Sequence, residues 1–459
     1  MRRFLVSALA VLSVLLPTLP AGGSTEEPRL VKAVILCRHG LRSPTQTPQE
    51  LAQWSPRPWP EWNIAPGKLT ERGALLLRYE GRLLRQHLSR HGLLPPAGQL
   101  KPESVFLYAD KNSRTKHSAE ALLEGLAPEG GTAPLTYRGK GKDPLFHTIP
   151  SGLMAEPDFS AEERSALVQE LERIRRDEAR PLARLFSLLS PSMDTPDALR
   201  FPAKGTQRGV TLRGGLHTAA STAEILLLQC LEWPVESQSL GTDDWSDREN
   251  TISPVEEKTL QILNAPESGG ASSEPPAPQK EPAEASAAPL MVNPQTALEL
   301  LPVHASVQNA LQRARPQAMA SGLPLLAVMT GILTGTSPLD GANSAALSIL
   351  VGHDTNISNV AGLLGLHWKN GEFPPDSAPP GSMLCFTLWE SPQGKTVKAS
   401  FLRQSLAALL TTDRDIMENA ALYREELRLP GAGIDSDGGT PLEDFANAVL
   451  DLASEPGVN

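Results

Sequence analysis

The stretch VKAVILCRHGLRSPT (31–45) decides the fold. Its first six residues are apolar apart from Lys32 and include the β-branched Val31, Val34 and Ile35, which predicts a buried strand. Gly40 and Pro44 then break that strand into a loop. Arg38, His39 and Arg42 therefore emerge at a strand's C-terminal end, where α/β sheets usually place their chemistry. Two guanidiniums flanking an imidazole describe an anion site.

Two further strand ends carry polar residues of the same kind. SVFLYAD (104–110) reads as a strand, NSR (112–114) as a polar turn with Arg114 at the junction, and TKHSAEALLEGLA (115–127) as a helix. ALSILVGHDTN (346–356) is a third strand, breaking at Gly352 into a loop that bears His353 and Asp354. Between them, ALLLRYEGRLLRQHLSRHG (74–92), 160–190 and 210–232 have helical character. Strands that alternate with helices make this an α/β protein. The segment 265–289 has no periodicity and almost no large apolar residue, and is read as a low-complexity insertion within one unit.

Composition narrows the function. The first 23 residues have a twin-basic start, an apolar run and a small-residue exit, the pattern of a secretory signal peptide. This predicts a periplasmic or secreted protein. Without Arg2 and Arg3 the formal charge goes from −10 to −12, which argues against nucleic acid or a membrane surface as partner. A monomer acting on a small molecule is expected. Cys37, Cys230 and Cys385 sit in apolar surroundings and are read as buried free thiols; their spacing offers no metal site.

Three strand ends thus offer Arg38, His39 and Arg42; Arg114; and His353 with Asp354. Phosphoryl transfer needs dense positive charge around the equatorial oxygens, an in-line nucleophile and a proton for the leaving alkoxide. Three guanidiniums meet the first need with bidentate geometry. A neutral imidazole, His39, meets the second through a phosphohistidine, and Asp354 can supply the proton. No metal or cofactor is required. Neighbouring arginines are expected to lower the pKa of both His39 and Asp354, and activity is expected to peak in acid.

RHGLRSPT (38–45) together with HDTN (353–356) resembles the histidine acid phosphatase family, branch 2 of the histidine phosphatase superfamily, and within it the bacterial periplasmic phytase/acid phosphatases. WPEW (59–62), KLTERG (68–73), SRT with AEALLEGLAP (113–128), DPLF (143–146), AEILLLQ (223–229) and PPG (379–381) extend the likeness over about 31–410. The resemblance implies His39 as nucleophile, Asp354 as proton donor, and Arg38, Arg42, Arg114 and His353 as the phosphate holders. It also implies substrate contacts at Thr45, Glu224 and His304. Its fold would be a mixed central sheet flanked by helices, from 24–145 and 321–459, with a helix-rich cap from 146–320. Phytate is the leading substrate; a glucose-1-phosphatase is the rival within the class, and a phosphate-ester-binding protein without turnover the rival outside it. HDTN and the Thr45 context favour phytase.

Gln46 departs from the pattern, standing where several phytases have a substrate-binding lysine. His87 and His91 have the i,i+4 spacing of a metal-binding helix face, but no third ligand is evident and they are read as exposed helix residues. Trp54, Trp59 and Trp62 are read as anchors of a proline-rich loop, and Cys37 as pointing into the core.

Overall fold

The computed structural model describes residues 27–131, 133–189, 197–203, 208–234, 288–429 and 438–455. The expected leader 1–23 lies outside the described residues, as does the insertion 265–289 apart from 288 and 289.

The strands are β1 (Arg29–Arg38), β2 (Val105–Ala109), β3 (Leu135–Thr136), β4 (Ala198–Arg200), β5 (Thr211–Arg213), β6 (Leu347–Gly352), β7 (Met383–Ser391), β8 (Gly394–Gln404), β9 (Leu422–Leu427) and β10 (Thr440–Pro441). Apart from the β4–β5 hairpin they form one mixed sheet, ordered β10-β8-β7-β1-β6-β2-β3 with β9 also on β8. β6 runs parallel to both β1 and β2, and β3 parallel to β2, while β7 joins β1 antiparallel. Register aligns the three polar strand ends: Arg38 stands opposite Gly352, and Ala109 opposite Val351. Three chains therefore leave the sheet side by side at one level.

Alternation along β1 feeds two cores. Val34 and Leu36 join one face, with Leu323, Leu326 and Ile357. Ala33, Ile35 and Cys37 join the other, with Leu77, Leu84 and Leu122. The apolar helix Arg315–Thr334 has the length and composition of a membrane span, yet it is buried here against β1 and the helices Asp354–Leu363 and Leu442–Ser454. On the opposite face, Glu71–Arg90 and Ser113–Leu126 meet backbone to backbone. A Cβ added at Gly125 would stand 1.8 Å from the Arg78 carbonyl oxygen, and one at Gly81 2.1 Å from that of Leu122. A third cluster gathers Leu171, Leu182, Ala219, Leu226, Leu300 and Val303 from helices in the middle of the chain.

Some local expectations shift. The helix expected from 115 begins at Ser113, so Arg114 rides in its first turn rather than in a loop. Asn112 supplies the extended N-cap backbone, while its side-chain amide is engaged with Asp110 instead. The 160–190 segment is two helices, Ala161–Asp177 and Ala179–Leu188, that part at Glu178. His87 and His91 are half-buried rather than exposed: their rings lie 5.2 Å apart, and His91 packs edge-on to Trp389, because this end of the helix lies over the antiparallel strands. Cys37, Cys230 and Cys385 are buried free thiols, and burial pushes Cys37 well above the ordinary thiol range. Two of the three tryptophans, Trp59 and Trp62, tie down their loop. Trp59 Nε1 donates to the Leu51 carbonyl at 2.7 Å, and the Trp62 ring lies 4.7 Å from that of Trp233.

Candidate active site

Parallel register delivers Arg38 and His39 from β1, Asp110 from β2, and His353 and Asp354 from β6. The His39 backbone is clamped on both sides, its N–H donating to Gly352 O at 3.0 Å and its carbonyl accepting from Gly381 N at 3.1 Å. Gly40 fits because a Cβ there would stand 2.6 Å from Leu77. The PPG turn thus supports the RHG turn, and Ala378 before it accepts from Arg38 Nη1 at 2.5 Å.

His39 is 2% exposed. Its Nδ1 lies 2.9 Å from Gly40 O, which can only accept, so the ring proton sits on Nδ1 and Nε2 keeps its lone pair. Burial first, then Arg38 and the further charges of His353, Arg42 and Arg114, hold His39 well below the ordinary imidazole range. The lowering expected from the arginines is present, with desolvation as the larger cause.

Arg38 and Arg42 are not bare cations. Glu224, on helix Gly215–Glu232, places Oε1 2.5 Å from Arg38 Nη2 and Oε2 3.1 Å from Arg42 Nη2. Burial resists charging Glu224, but Arg42, His304 and Arg38 outweigh it and hold this carboxyl well below the usual range. Asp354 Oδ2 lies 2.9 Å from the same Arg38 nitrogen, and Oδ1 accepts from Thr355 N at 2.7 Å at the start of its helix. Desolvation opposes the Asp354 charge; Arg38 prevails, with His304 and Arg42 adding to it against Glu224, and the carboxyl sits below the usual range. His304 Nδ1 donates to Ala220 O, 3.2 Å away, and with Arg38, Glu224 and Asp354 the ring lines a cavity of about 20 Å³. Since a carbonyl only accepts, its Nδ1 carries the proton. The Nε nitrogens of Arg38, Arg42 and Arg114 are buried without a hydrogen-bond partner. An anion that entered would find donors not yet used.

On the β2 side Arg114 Nη2 donates to His353 Nδ1 at 3.2 Å, and His353 Nε2 donates to Asp110 Oδ2 at 2.8 Å. His39 and His353 lie edge to face, 5.5 Å between ring centres. Burial lowers the His353 pKa, the Asp110 hydrogen bond pulls back, and Arg114 adds to the lowering; the ring stays below its ordinary range. Asn356 explains the last letter of HDTN: its Oδ1 accepts from His353 N at 3.0 Å while its Nδ2 donates to Phe146 O of DPLF.

All six core candidates, Arg38, His39, Arg42, Arg114, His353 and Asp354, thus meet at the C-terminal end of the parallel strands. Glu224 and His304 meet there as well. Thr45 is exposed beside Gln46 and faces Arg114 across Gly67, where an added Cβ would stand 3.4 Å from Thr45 Cγ2 and 3.9 Å from Arg114 Nη1, while Gln46 lines a depression of about 640 Å³ with Pro44, Trp59 and Trp62. Sequence reasoning missed Asp110, Asn112 and His147, the shell behind His353. Asp110 was visible in principle, since it follows β2 just as His353 follows β6.

Residues 29–178 match the model of the histidine phosphatase superfamily (branch 2). The phytase AppA of Escherichia coli K12 is 28% identical over 432 residues, 88% of each chain. The glucose-1-phosphatase of Salmonella typhimurium LT2 is 24% identical over 98% of this chain and 99% of its own. Among solved structures, the Hafnia alvei phytase in complex with tartrate superposes with a TM-score of 0.73 at 26% identity, over 94% of this chain and 98% of that one.

Proposed function

We propose that the chain is a member of the histidine phosphatase superfamily, branch 2, and that it hydrolyses phosphate monoesters in acid through a phosphohistidine at His39, with phytate as its preferred substrate. The observation that carries this reading is the His39 ring, whose Nδ1–H is spent on Gly40 O and whose Nε2 stays unprotonated among three guanidiniums.

In the first step Nε2 attacks phosphorus, forming an N–P bond as the P–O ester bond breaks. Arg38, Arg42 and Arg114 spread over the phosphoryl oxygens as charge shifts to them. Protonated Asp354 gives its proton to the departing alkoxide. In the second step the Asp354 carboxylate takes a proton from water, whose oxygen displaces His39 and releases inorganic phosphate. His353 has its Nε2–H committed to Asp110, so it donates to the anion only as imidazolium, through Nδ1. A phosphate dianion favours that form, and it favours the acid form of Asp354 in the same way.

The phytase assignment is supported by the higher identity to a phytase than to a glucose-1-phosphatase and by the phytase fold match. Gln46 in place of lysine weakens it, and full-length similarity to a glucose-1-phosphatase keeps a sugar phosphate as the second reading. The leader-like start at 1–23 supports action outside the cytoplasm. A panel of phytate, glucose 1-phosphate and p-nitrophenyl phosphate at pH 4–6 tests the choice. The highest kcat/KM is expected with phytate; a higher value with glucose 1-phosphate overturns the phytase reading, and no turnover of any of the three overturns the enzyme.

A further inference from the structure

Behind the proposed anion site, three potential metal ligands converge on one point. Asp110 Oδ2 lies 2.8 Å from His353 Nε2 and 3.1 Å from His147 Nε2, and all three atoms fall within 4.8 Å of one another. Donor atoms about 2.0–2.2 Å from a transition metal stand roughly 3 Å apart, so these spacings are already close to those of a filled coordination sphere. Two imidazoles and a carboxylate suit zinc, cobalt or nickel better than the oxygen-seeking calcium or magnesium.

We propose that Asp110, His147 and His353 form a binding site for a divalent transition metal ion, and that an ion held there inhibits turnover by disengaging Arg114 from His353. Asn112 already covers these three atoms with a polar hydrogen-bonding group: its Nδ2 is 2.6 Å from Asp110 Oδ2, 3.5 Å from His147 Nε2 and 3.4 Å from His353 Nε2. Rotating that amide by a half turn presents its oxygen as a fourth ligand. Asp110 is held for the task, with Oδ1 accepting from Lys111 N at 2.7 Å. The side chains of Asp110 and His353 are 1% and 7% exposed, but that of His147 is 21% exposed, which gives an ion its way in.

The inhibition follows from tautomers. Without metal, His353 Nε2 donates to Asp110 and Nδ1 accepts from Arg114. A metal on Nε2 takes that lone pair and leaves the ring proton on Nδ1, directly facing an Arg114 N–H. Two donors 3.2 Å apart repel, and the ion's own charge pushes the guanidinium further. Arg114 then leaves its place beside the phosphoryl group. The inhibitory half of the proposal rests on the phosphatase reading; the binding half does not.

Calorimetry with zinc chloride at pH 7 on the whole protein reads binding directly, and p-nitrophenyl phosphate turnover, which avoids the chelating phytate, reads inhibition. His147→Asn and His147→Gln remove an imidazole ligand, and each variant is referred to its own metal-free rate. One equivalent of zinc is expected to bind the parent protein and to suppress turnover, with activity restored by a chelator. Both variants should need at least tenfold more zinc for half-inhibition. Equal zinc sensitivity in folded variants, or no bound equivalent in the parent, overturns the proposal. Loss of the equivalent on His304→Asn instead would move the ion to the Glu224, His304 and Asp354 group and overturn it equally. If no ester is hydrolysed at all, the calorimetric arm still decides the binding site.

Discussion

Glu224 Oε1 lies 2.5 Å from Arg38 Nη2, so a carboxylate of the protein already occupies the arginine that precedes the proposed nucleophile in the chain. With Arg42 on its other oxygen, Glu224 competes with any incoming anion and restrains the field that the sequence alone would assign to three arginines. Glu224→Gln keeps the shape and removes the charge. Inorganic phosphate should then inhibit more tightly, by about tenfold or 1.4 kcal/mol, as read from its inhibition constant. Weaker inhibition would mean that Glu224 serves to hold the arginines in place.

His39→Ala should abolish turnover, since it removes the imidazole nitrogen that forms the phosphoryl bond in the proposed reaction. Rapid acid quench with labelled substrate should trap phosphate on the parent protein and not on this variant. Equal label on both would remove His39 from the chemistry.

Asp354→Asn should harm esters with poor leaving groups, such as inositol or sugar alkoxides, far more than p-nitrophenyl phosphate. Because the Asp354 pKa is lowered, its acid form is lost as pH rises, so the alkaline limb of kcat for phytate should be largely absent from the variant's residual rate. Arg42→Ala should slow all esters alike. Identical leaving-group profiles for the two variants would contradict this division of labour.

Acid operation costs stability. His39 and His353 both have lowered pKa values in the folded chain, so below about pH 6.5 the unfolded chain takes up protons that the native rings refuse. This contribution is present above pH 6.5 and is lost as pH falls, by up to about 1.4 kcal/mol per pH unit for each ring that stays neutral. Asp110, held well below the usual carboxylate range, adds stability that persists to about pH 4 and is lost only below it. Urea midpoints of the parent should fall between pH 7 and 4.5, and His39→Asn should fall less steeply. An unchanged slope would show that His39 is not buried neutral.

The backbone contact at Gly125 offers a test of packing alone. Its missing Cβ would sit 1.8 Å from Arg78 O, so Gly125→Ala must push two helices apart. Overpacking of this kind costs about 1–3 kcal/mol, which thermal unfolding should register. A variant as stable as the parent would show that the helices have slack.

The strand ends were legible because their signal is local: an apolar run stopped by glycine, followed by charge, as at 31–45 and 346–356. Arg38, His39, Arg42, His353 and Asp354 sat on such stops, while Arg114 followed the strand at 104–110 with no glycine to mark it. What pairs with what was not legible, since Glu224 reaches Arg38 and Arg42 from a helix whose own pattern is simply apolar. Nor was the Asp110–His147 contact, which joins a strand end to a loop 37 residues later with no periodicity to announce it. Arg114 shifted from turn to helix because a turn and a helix's first residues carry the same polar letters.

Arg38 and the Ala378 carbonyl that holds it are 340 residues apart along the chain, and β6 enters the sheet between β1 and β2 although it is made long after both. Loop closure over such a distance must precede any reward from the contacts it makes. A nascent chain ending before residue 346 carries His39 with Arg38, Arg42 and Arg114, yet lacks the β6 strand that sets them side by side. Recovery of activity on refolding therefore marks the arrival of β6, while helix formation alone leaves the chemistry silent. For a chain that left the cytoplasm as an extended thread, this order of assembly would keep the proposed catalyst unassembled until β6 had followed β1 and β2 into place.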